Sequence, residues 1–347
     1  MQKRHIWFWF IFFFFFTACG GSSEPSVKAL RVEESKAELP DVPVRFQRFE
    51  QDLFRFSKES FTQDTLKMYQ KYGSFFDLYT SQVIRIGNKH LPLFRENLLG
   101  FIQDPDIRSV KAETDRLFSN TDTIKSEIST AFNRYHKAFP DSVIPAVSTL
   151  ISGFNYNVVV SDSNLAIGLD MYLGKNCKFY ELLSLPKYKV SKMNRTMIVP
   201  DAIRGWLMSN FEMDASQEDL VSYMIYHGKM MYLSQQLLPD KTEWNILGYT
   251  EKELSWCADN EARIWSHFID RKLFFSKDFN DQLIYINDGP FTKGFPEEAP
   301  SRIGIWLGFQ IVKSYMNKYQ NITLPELIND QDAHKIFNSS GYKPGRA

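Results

Sequence analysis

The side chains most able to do chemistry stand in two apolar segments of the chain. His227 and Lys229 lie within residues 216–238, whose apolar side chains would cover almost the whole circumference of a helix. A helix that is apolar on all sides is typically buried. Glu261 follows in the next helical pattern, residues 250–272. A buried imidazole, ammonium and carboxylate could act as acids, bases or ligands. The simpler interpretation is a hydrogen-bonded core histidine and a lysine whose amine reaches solvent.

The order of these residues resembles the two-helix core of a zinc metallopeptidase. In that core a His-Glu-x-x-His helix supplies two imidazole ligands, and a later helix supplies a glutamate. This chain has no His-Glu-x-x-His sequence, and Tyr226 and Met230 stand at the two ligand positions; both are poor zinc ligands. We therefore predict a zincin-like helical core with no catalytic residue, no metal and no cofactor, in which His227, Lys229 and Glu261 are vestigial site candidates. The alternative is a peptidase-like hydrolase whose site includes these three residues.

Three glycines within helical patterns indicate close packing between helices. Gly228 interrupts the first apolar helix, where glycine costs about 1 kcal/mol relative to alanine. We predict that a second backbone approaches the helix at this position. Gly304 and Gly308 are four residues apart in a later pattern, residues 301–319, and would lie on one helix face. That spacing likewise predicts the close approach of another helix.

The N-terminus is typical of an exported lipoprotein. Residues 3–4 are basic, residues 6–16 are apolar but too short to span a bilayer, and a small residue precedes Cys19. This layout predicts a signal peptide over residues 1–18 and lipid attachment at Cys19. The polar, Gly- and Ser-rich residues that follow predict a flexible, lipidated tether over residues 19–43. The alternatives are an ordinary secretory signal with an incidental cysteine, or an uncleaved anchor.

Charge and cysteine content restrict the functional class. The 347 residues include 41 Lys and Arg against 41 Asp and Glu, a balance that argues against nucleic-acid binding, which favours a basic face. The only cysteines after Cys19 are Cys177 and Cys257, and they form no Cys-x-x-Cys motif. They could pair in an oxidising periplasm or remain free thiols.

Hydrophobic spacing predicts an α+β fold that is mostly helical. The β-branched stretch 143–169, broken by Gly153 and by the polar residues 161–164, predicts one small antiparallel sheet with hairpin turns. With the helices, this sheet would complete a single globular domain over residues 44–347. The main helical patterns cover residues 46–56, 75–86, 121–139, 195–211, 216–238, 250–272, 301–319 and 330–338.

Six sequence blocks, in order along the mature chain, carry the most specific signal. They are residues 48–54, 167–174, 228–232, 247–250, 260–265 and 302–316. Together they resemble the gliding-motility lipoprotein GldB family of the Bacteroidetes. The resemblance implies a non-enzymatic lipoprotein of the cell envelope that supports gliding motility and/or type IX protein secretion.

The resemblance also implies the partners of the protein. These are other envelope lipoproteins, components of the gliding and secretion machinery, and the membrane itself through the lipid anchor. Residues 20–23 contain no acidic export signal, so we expect the anchored domain to face the periplasm. A surface lipoprotein that binds glycans or peptides is a further alternative, because the chain is rich in aromatic residues. Most of its tryptophans, however, occupy apolar helical positions typical of core packing.

Overall fold

A computed structural model of the protein describes residues 39–214, 216 and 218–345. All of them belong to a compact unit that spans residues 37–347. The predicted signal peptide, residues 1–18, lies outside the described residues, as do Cys19 and the predicted tether as far as residue 38. None of the helices described is both long and apolar enough to cross a membrane.

Helices make up most of the described chain. A π-helical turn, Tyr79–Val83, continues the helix Ser74–Leu78, and 3₁₀ turns cover Leu169–Tyr172 and Arg195–Met197. The α-helices are α1 (Phe49–Leu53), α2 (Phe61–Tyr72), α3 (Ser74–Leu78), α4 (Phe94–Gln103), α5 (Pro105–Leu117), α6 (Asp122–Ala138), α7 (Lys178–Leu182), α8 (Lys187–Val190), α9 (Ile198–Asn210), α10 (Leu220–Leu237), α11 (Glu243–Leu247), α12 (Glu251–Asp259), α13 (Glu261–Asp270), α14 (Phe279–Ile286), α15 (Ile303–Lys318), α16 (Leu324–Asn329) and α17 (Ala333–Ser340).

The small sheet has four strands and is mixed, which corrects the predicted antiparallel sheet. The strands are β1 (Phe46–Arg48), β2 (Ala146–Leu150), β3 (Val158–Ser161) and β4 (Asn164–Gly168), in the order β1-β2-β4-β3. The predicted hairpin is confirmed, because β3 and β4 pair antiparallel. The pairs β1–β2 and β2–β4 are parallel. The prediction of antiparallel pairing failed for these two pairs for two reasons. The residues of β1 were assigned to a helix, and strands that pair in parallel are distant in sequence.

Helix ends follow the capping chemistry of the sequence in part. Thr250 and Glu253 form a capping box at the start of α12, with Glu253 N–H donating to Thr250 Oγ1 over 3.2 Å. The helix predicted over residues 250–272 is broken at Asn260, whose side-chain amide donates to the carbonyl of Trp256 over 2.9 Å and competes with backbone hydrogen bonding. The predicted start of α10 near residue 216 is wrong, because the N-cap is Asp219, which accepts from Ser222 N–H.

The core lies around α10 and α15, which are buried along most of their length. Helices α14 and α17 flank α15, while α9 packs on both α10 and the sheet. The two cysteines that could have paired, Cys177 and Cys257, are both free thiols. Cys257 is fully buried, and that burial raises the pKa of its thiol.

Candidate functional site

Helices α10 and α15 cross with their backbones in contact. A Cβ atom at Gly228 would lie 2.5 Å from the carbonyl carbon and oxygen of Gly308. A Cβ at Gly308 would overlap the carbonyl oxygen of Met224, and one at Gly304 would lie 2.8 Å from the carbonyl oxygen of Tyr285. The predicted close approaches at all three glycines are therefore confirmed. This crossing fixes the position of every side chain on the central part of α10.

His227 lies beside this crossing, next to Gly228, within range of the charge of Arg302. Its ring packs edge-on against Tyr226, with 5.0 Å between the ring centroids. Nδ1 is buried and has no hydrogen-bond partner among the described protein groups. Loss of solvation, and to a lesser extent the charge of Arg302, lower the pKa of His227 to about 4. The imidazole is thus neutral at neutral pH and is poorly matched to general-base catalysis there, which favours a pKa near the working pH.

Arg302 forms a polar cluster at the start of α15. Its guanidinium donates to the carbonyl of Gly248 over 2.8 Å, lies 5.4 Å from the ring centroid of Tyr249 and pairs with Asp288 at 3.6 Å. The Tyr249 hydroxyl donates to the carbonyl of Ser301 over 2.9 Å. These contacts hold the loop after α11 against the N-terminus of α15. Arg302 itself has a φ of +60°, so the cluster also stabilises a left-handed backbone that non-glycine residues rarely adopt.

Lys192 completes this Arg302 cluster. Its Nζ pairs with Glu253 at 3.2 Å and lies 5.6 Å from the ring centroid of Tyr249. Burial and the charge of Arg302 lower the pKa of Lys192. Each cation of the cluster has a carboxylate partner, so the arrangement resembles a structural ion-pair network more than a vacant anion site.

Lys229 points away from this cluster and caps another helix. Its Nζ donates to the carbonyls of Ile328, over 3.2 Å, and Asp330, over 2.9 Å. These carbonyls lie at the C-terminal end of α16, where helices leave acceptors unpaired. Burial lowers the pKa of Lys229 to about 8, and the charge of Asp330 opposes that shift. The ammonium therefore stays within the protein and does not reach solvent as the sequence suggested.

Glu261 serves a third element. Its carboxylate accepts a hydrogen bond from the hydroxyl of Tyr342, and the ring of Trp265 packs on Tyr342 with 5.4 Å between centroids. Within the described part of the chain, no hydrogen bond or ion pair joins any two of His227, Lys229 and Glu261. In the same residues, no group of three or more His, Cys, Asp or Glu side chains is placed to hold a metal ion.

Two polar features of the structure were not predicted from the sequence. The first is Asp170, fully buried just beyond β4, which accepts from the backbone N–H groups of Ser152 and Phe154 over 2.9 and 2.7 Å. Burial raises the pKa of Asp170 to about 6, although these hydrogen bonds oppose the shift. Its position directly after a strand, within the block 167–174, was the available signal.

The second is an open cleft of about 280 Å³ between α1 and α5. Phe54 lines it, and the cationic groups of Arg108 and Lys111 lie 5.8 and 5.6 Å from the centroid of that ring. Lys111 pairs with Asp115 one helical turn later. The spacing of Arg108, Lys111 and Asp115 on one face of α5 could have revealed this cleft.

We expect acid to destabilise the protein through His227. The folded-state pKa of about 4 lies below the usual 6.5, so the unfolded chain binds more protons between these values and stability falls as the pH drops through them. The loss from this residue should be about 1–2 kcal/mol between pH 6.5 and 5. Urea denaturation of His227→Leu should show a correspondingly shallower pH dependence. The exposed His90, changed to Gln, should leave the slope unaltered; equal slopes in all three proteins would contradict the burial of His227.

Comparison with known proteins identifies a family. The family model described as gliding motility protein GldB matches residues 31–344. No match to a curated protein or to a solved structure was found. Without a matching structure, the zincin-like topology of the helical core remains a prediction.

Proposed function

Because the chain belongs to the family of the gliding motility protein GldB, we propose that it is a lipid-anchored, periplasm-facing envelope protein that supports gliding motility and/or type IX secretion without catalysing a reaction. The observation that carries this proposal is the extent of the family match, which covers residues 31–344. Its partners would be other envelope lipoproteins and components of that machinery. The family itself establishes an association with gliding motility; the secretion role and the orientation are the finer parts of the proposal.

The contacts of the three vestigial site candidates support a scaffold role. Lys229 caps α16 and Glu261 holds the C-terminal segment through Tyr342. His227 is neutral beside a fixed cation. Each side chain thus lies in a different packing contact, whereas a hydrolase needs its acid, base and ligands directed at one reacting group. A rigid helical body of this kind is suited to presenting surfaces to other proteins.

Anchoring depends on the segment before the folded body. We propose that Cys19 carries the lipid and that the tether separates it from the domain. The described chain is already tied to the body at Val42, whose N–H donates to the side chain of Asn133 on α6 over 3.1 Å. The free part of the tether would therefore end close to this residue, and about 20 residues of flexible chain span roughly 25 Å on average.

Changing Cys19 to Ser should abolish lipid attachment and function together. The thiol is the acylated atom in this proposal, so the variant should incorporate no labelled fatty acid and should lose its stable membrane association. In a gliding bacterium whose own family member is deleted, the wild-type chain should restore colony spreading and secretion of type IX cargo, and Cys19→Ser should not. Acyl labelling and spreading frequency are the two measurements.

A Glu261→Gln variant is the control that distinguishes a scaffold role from an enzymatic one. Glu261→Gln retains a side chain of the same shape that still accepts a hydrogen bond from Tyr342, so it should restore spreading as well as the wild type does. Normal acyl labelling of Cys19→Ser would contradict the anchor. A folded, normally abundant Glu261→Gln protein that failed to restore spreading would instead favour the hydrolase alternative.

A further inference from the structure

A short basic segment follows the sheet in the chain. Residues 175–189 contain four lysines and a single acidic residue, Glu181, although the whole chain has equal numbers of cationic and anionic residues. Helices α7 and α8 form most of this segment. All four lysines are exposed. They are Lys175, Lys178, Lys187 and Lys189.

The tip of this lysine–leucine segment is apolar. Leu182 is 76% exposed, the highest value for a large hydrophobic side chain among the described residues, and the adjacent Leu183 is 50% exposed. Two neighbouring exposed leucines, with lysines before and after them in the sequence, give this segment an amphipathic character. Such surfaces mark interaction sites more often than single exposed apolar residues do.

The base of the segment is held firmly, so the leucines cannot simply fold back into the core. Phe179 and Tyr180 are buried directly before the tip. The Tyr180 hydroxyl donates to the carbonyl of Asp170 and accepts from the N–H of Leu173, both over 2.8 Å. The ring of Phe154 packs on Tyr180 with 5.8 Å between centroids. The exposed tip is therefore presented by a fixed support.

The lysines are available for an external anion. Among the described residues, none of the four forms an ion pair, whereas the partly buried Lys192 pairs with Glu253 at 3.2 Å. Lys178 and Lys189 instead lie 5.1 and 6.0 Å from the ring centroids of neighbouring aromatic residues. Exposed lysines around an apolar tip match the headgroup region of a bilayer, where leucine enters the acyl boundary and lysine stays at the phosphates.

We propose that the lysine–leucine segment docks on the surface of an anionic phospholipid membrane. This inference rests on the proposed function only in that a lipid anchor would keep the domain close to such a surface. Lysines near an anionic bilayer contribute additively to binding, and the insertion of apolar side chains strengthens that binding. Docking would fix the orientation of the anchored domain, which a flexible tether alone leaves free.

A vesicle-binding assay without the lipid anchor tests this proposal. The protein would begin at residue 20, which keeps the whole compact unit from residue 37 onward, and would be sedimented with vesicles of phosphatidylcholine, with or without phosphatidylglycerol. We expect binding to the anionic vesicles only, and weaker binding as salt screens the charges. Changing Lys187 and Lys189 to Gln should weaken binding about 25-fold, or about fivefold for each lysine. Changing Leu182 and Leu183 to Ser should weaken it about 10-fold or more.

A matched control uses another exposed apolar pair. Phe279 and Leu283 on α14 are 66% and 41% exposed, but residues 277–283 contain two aspartates, Asp278 and Asp281, against one lysine. Their double change to Ser should leave vesicle binding unaltered. No binding to anionic vesicles, equal binding to both vesicle types, or equal loss in the α14 variant would each overturn the proposal. Because the assay uses protein without the lipid anchor, a negative result would not contradict the predictions for acyl labelling and colony spreading.

Discussion

Replacing Gly308 with alanine should lower the free energy of unfolding by about 3 kcal/mol or more. The new methyl group would overlap the carbonyl oxygen of Met224 on α10. The oxygen is a backbone atom and the methyl carbon is bonded directly to the Cα of the other helix, so neither can rotate away, and relief requires the two helices to separate. Gly228→Ala should act in the same direction, because its Cβ would meet the backbone of Gly308 at 2.5 Å. Urea denaturation of the chain from residue 20 measures both effects.

Gly100 provides the matched control for this prediction. It lies inside α4, and a Cβ atom there would meet nothing within 4 Å. Gly100→Ala should therefore keep the stability unchanged or raise it by up to about 1 kcal/mol, the ordinary gain of alanine over glycine in a helix. If Gly308→Ala were as stable as Gly100→Ala, the backbone contact between α10 and α15 would be wrong.

The features that local chemistry determines could be predicted from the sequence. The spacing of apolar residues over 121–139 predicts α6 to within a residue of its observed bounds. Glycine in the middle of an apolar helix has few explanations other than close approach, which is why Gly228 pointed to a helix crossing. The partner of that crossing, Gly308, is 80 residues away, and no periodicity links the two positions.

Long-range pairing explains most of what the sequence could not show. Strand β1 has three residues, too few to display alternation, and its partners Val147 and Thr149 lie about one hundred positions later. Its strand geometry is thus imposed by tertiary pairing, while the phenylalanine spacing that follows is helical and extends the apparent helix backward. In an element this short, tertiary pairing outweighs the intrinsic secondary-structure preference of the residues, so an assignment based on that preference is wrong.

At the candidate site, too, local sequence predicted some features, and contacts between distant segments determine the others. Burial of the Nδ1 atom of His227 followed from the apolar helix around it. Arg302, whose charge also lowers the pKa of His227, comes from another segment, so residue spacing could not predict its position. The partners of Lys229 are backbone carbonyls, which carry no sequence signature. Three polar residues in buried helices therefore suggested one site, whereas the fold directs them to three separate contacts.

Asp170→Ala should destabilise the protein by about 3–5 kcal/mol. The buried carboxylate accepts from the N–H groups of Ser152 and Phe154 and from the Ser152 hydroxyl over 3.0 Å. Alanine would leave these buried donors without a partner, at about 1–3 kcal/mol for each. The loop after β2 and the end of β4 would lose the group that joins them. Asp162→Ala, on the exposed turn between β3 and β4, should have little effect and serves as the control.

The pH dependence of the stability of Asp170→Asn tests whether Asp170 binds a proton in the folded protein, because asparagine keeps the shape of the side chain but does not titrate. The folded-state pKa of about 6 exceeds the usual 3.8, so the folded wild type binds the proton more tightly, and this contribution to stability is full below 3.8 and disappears as the pH rises through 6. The asparagine variant lacks this gain. Its destabilisation relative to wild type should therefore be about 2 kcal/mol greater at about pH 4.5 than at pH 7. A difference independent of pH would mean that Asp170 is not the buried, proton-binding group that the structure describes.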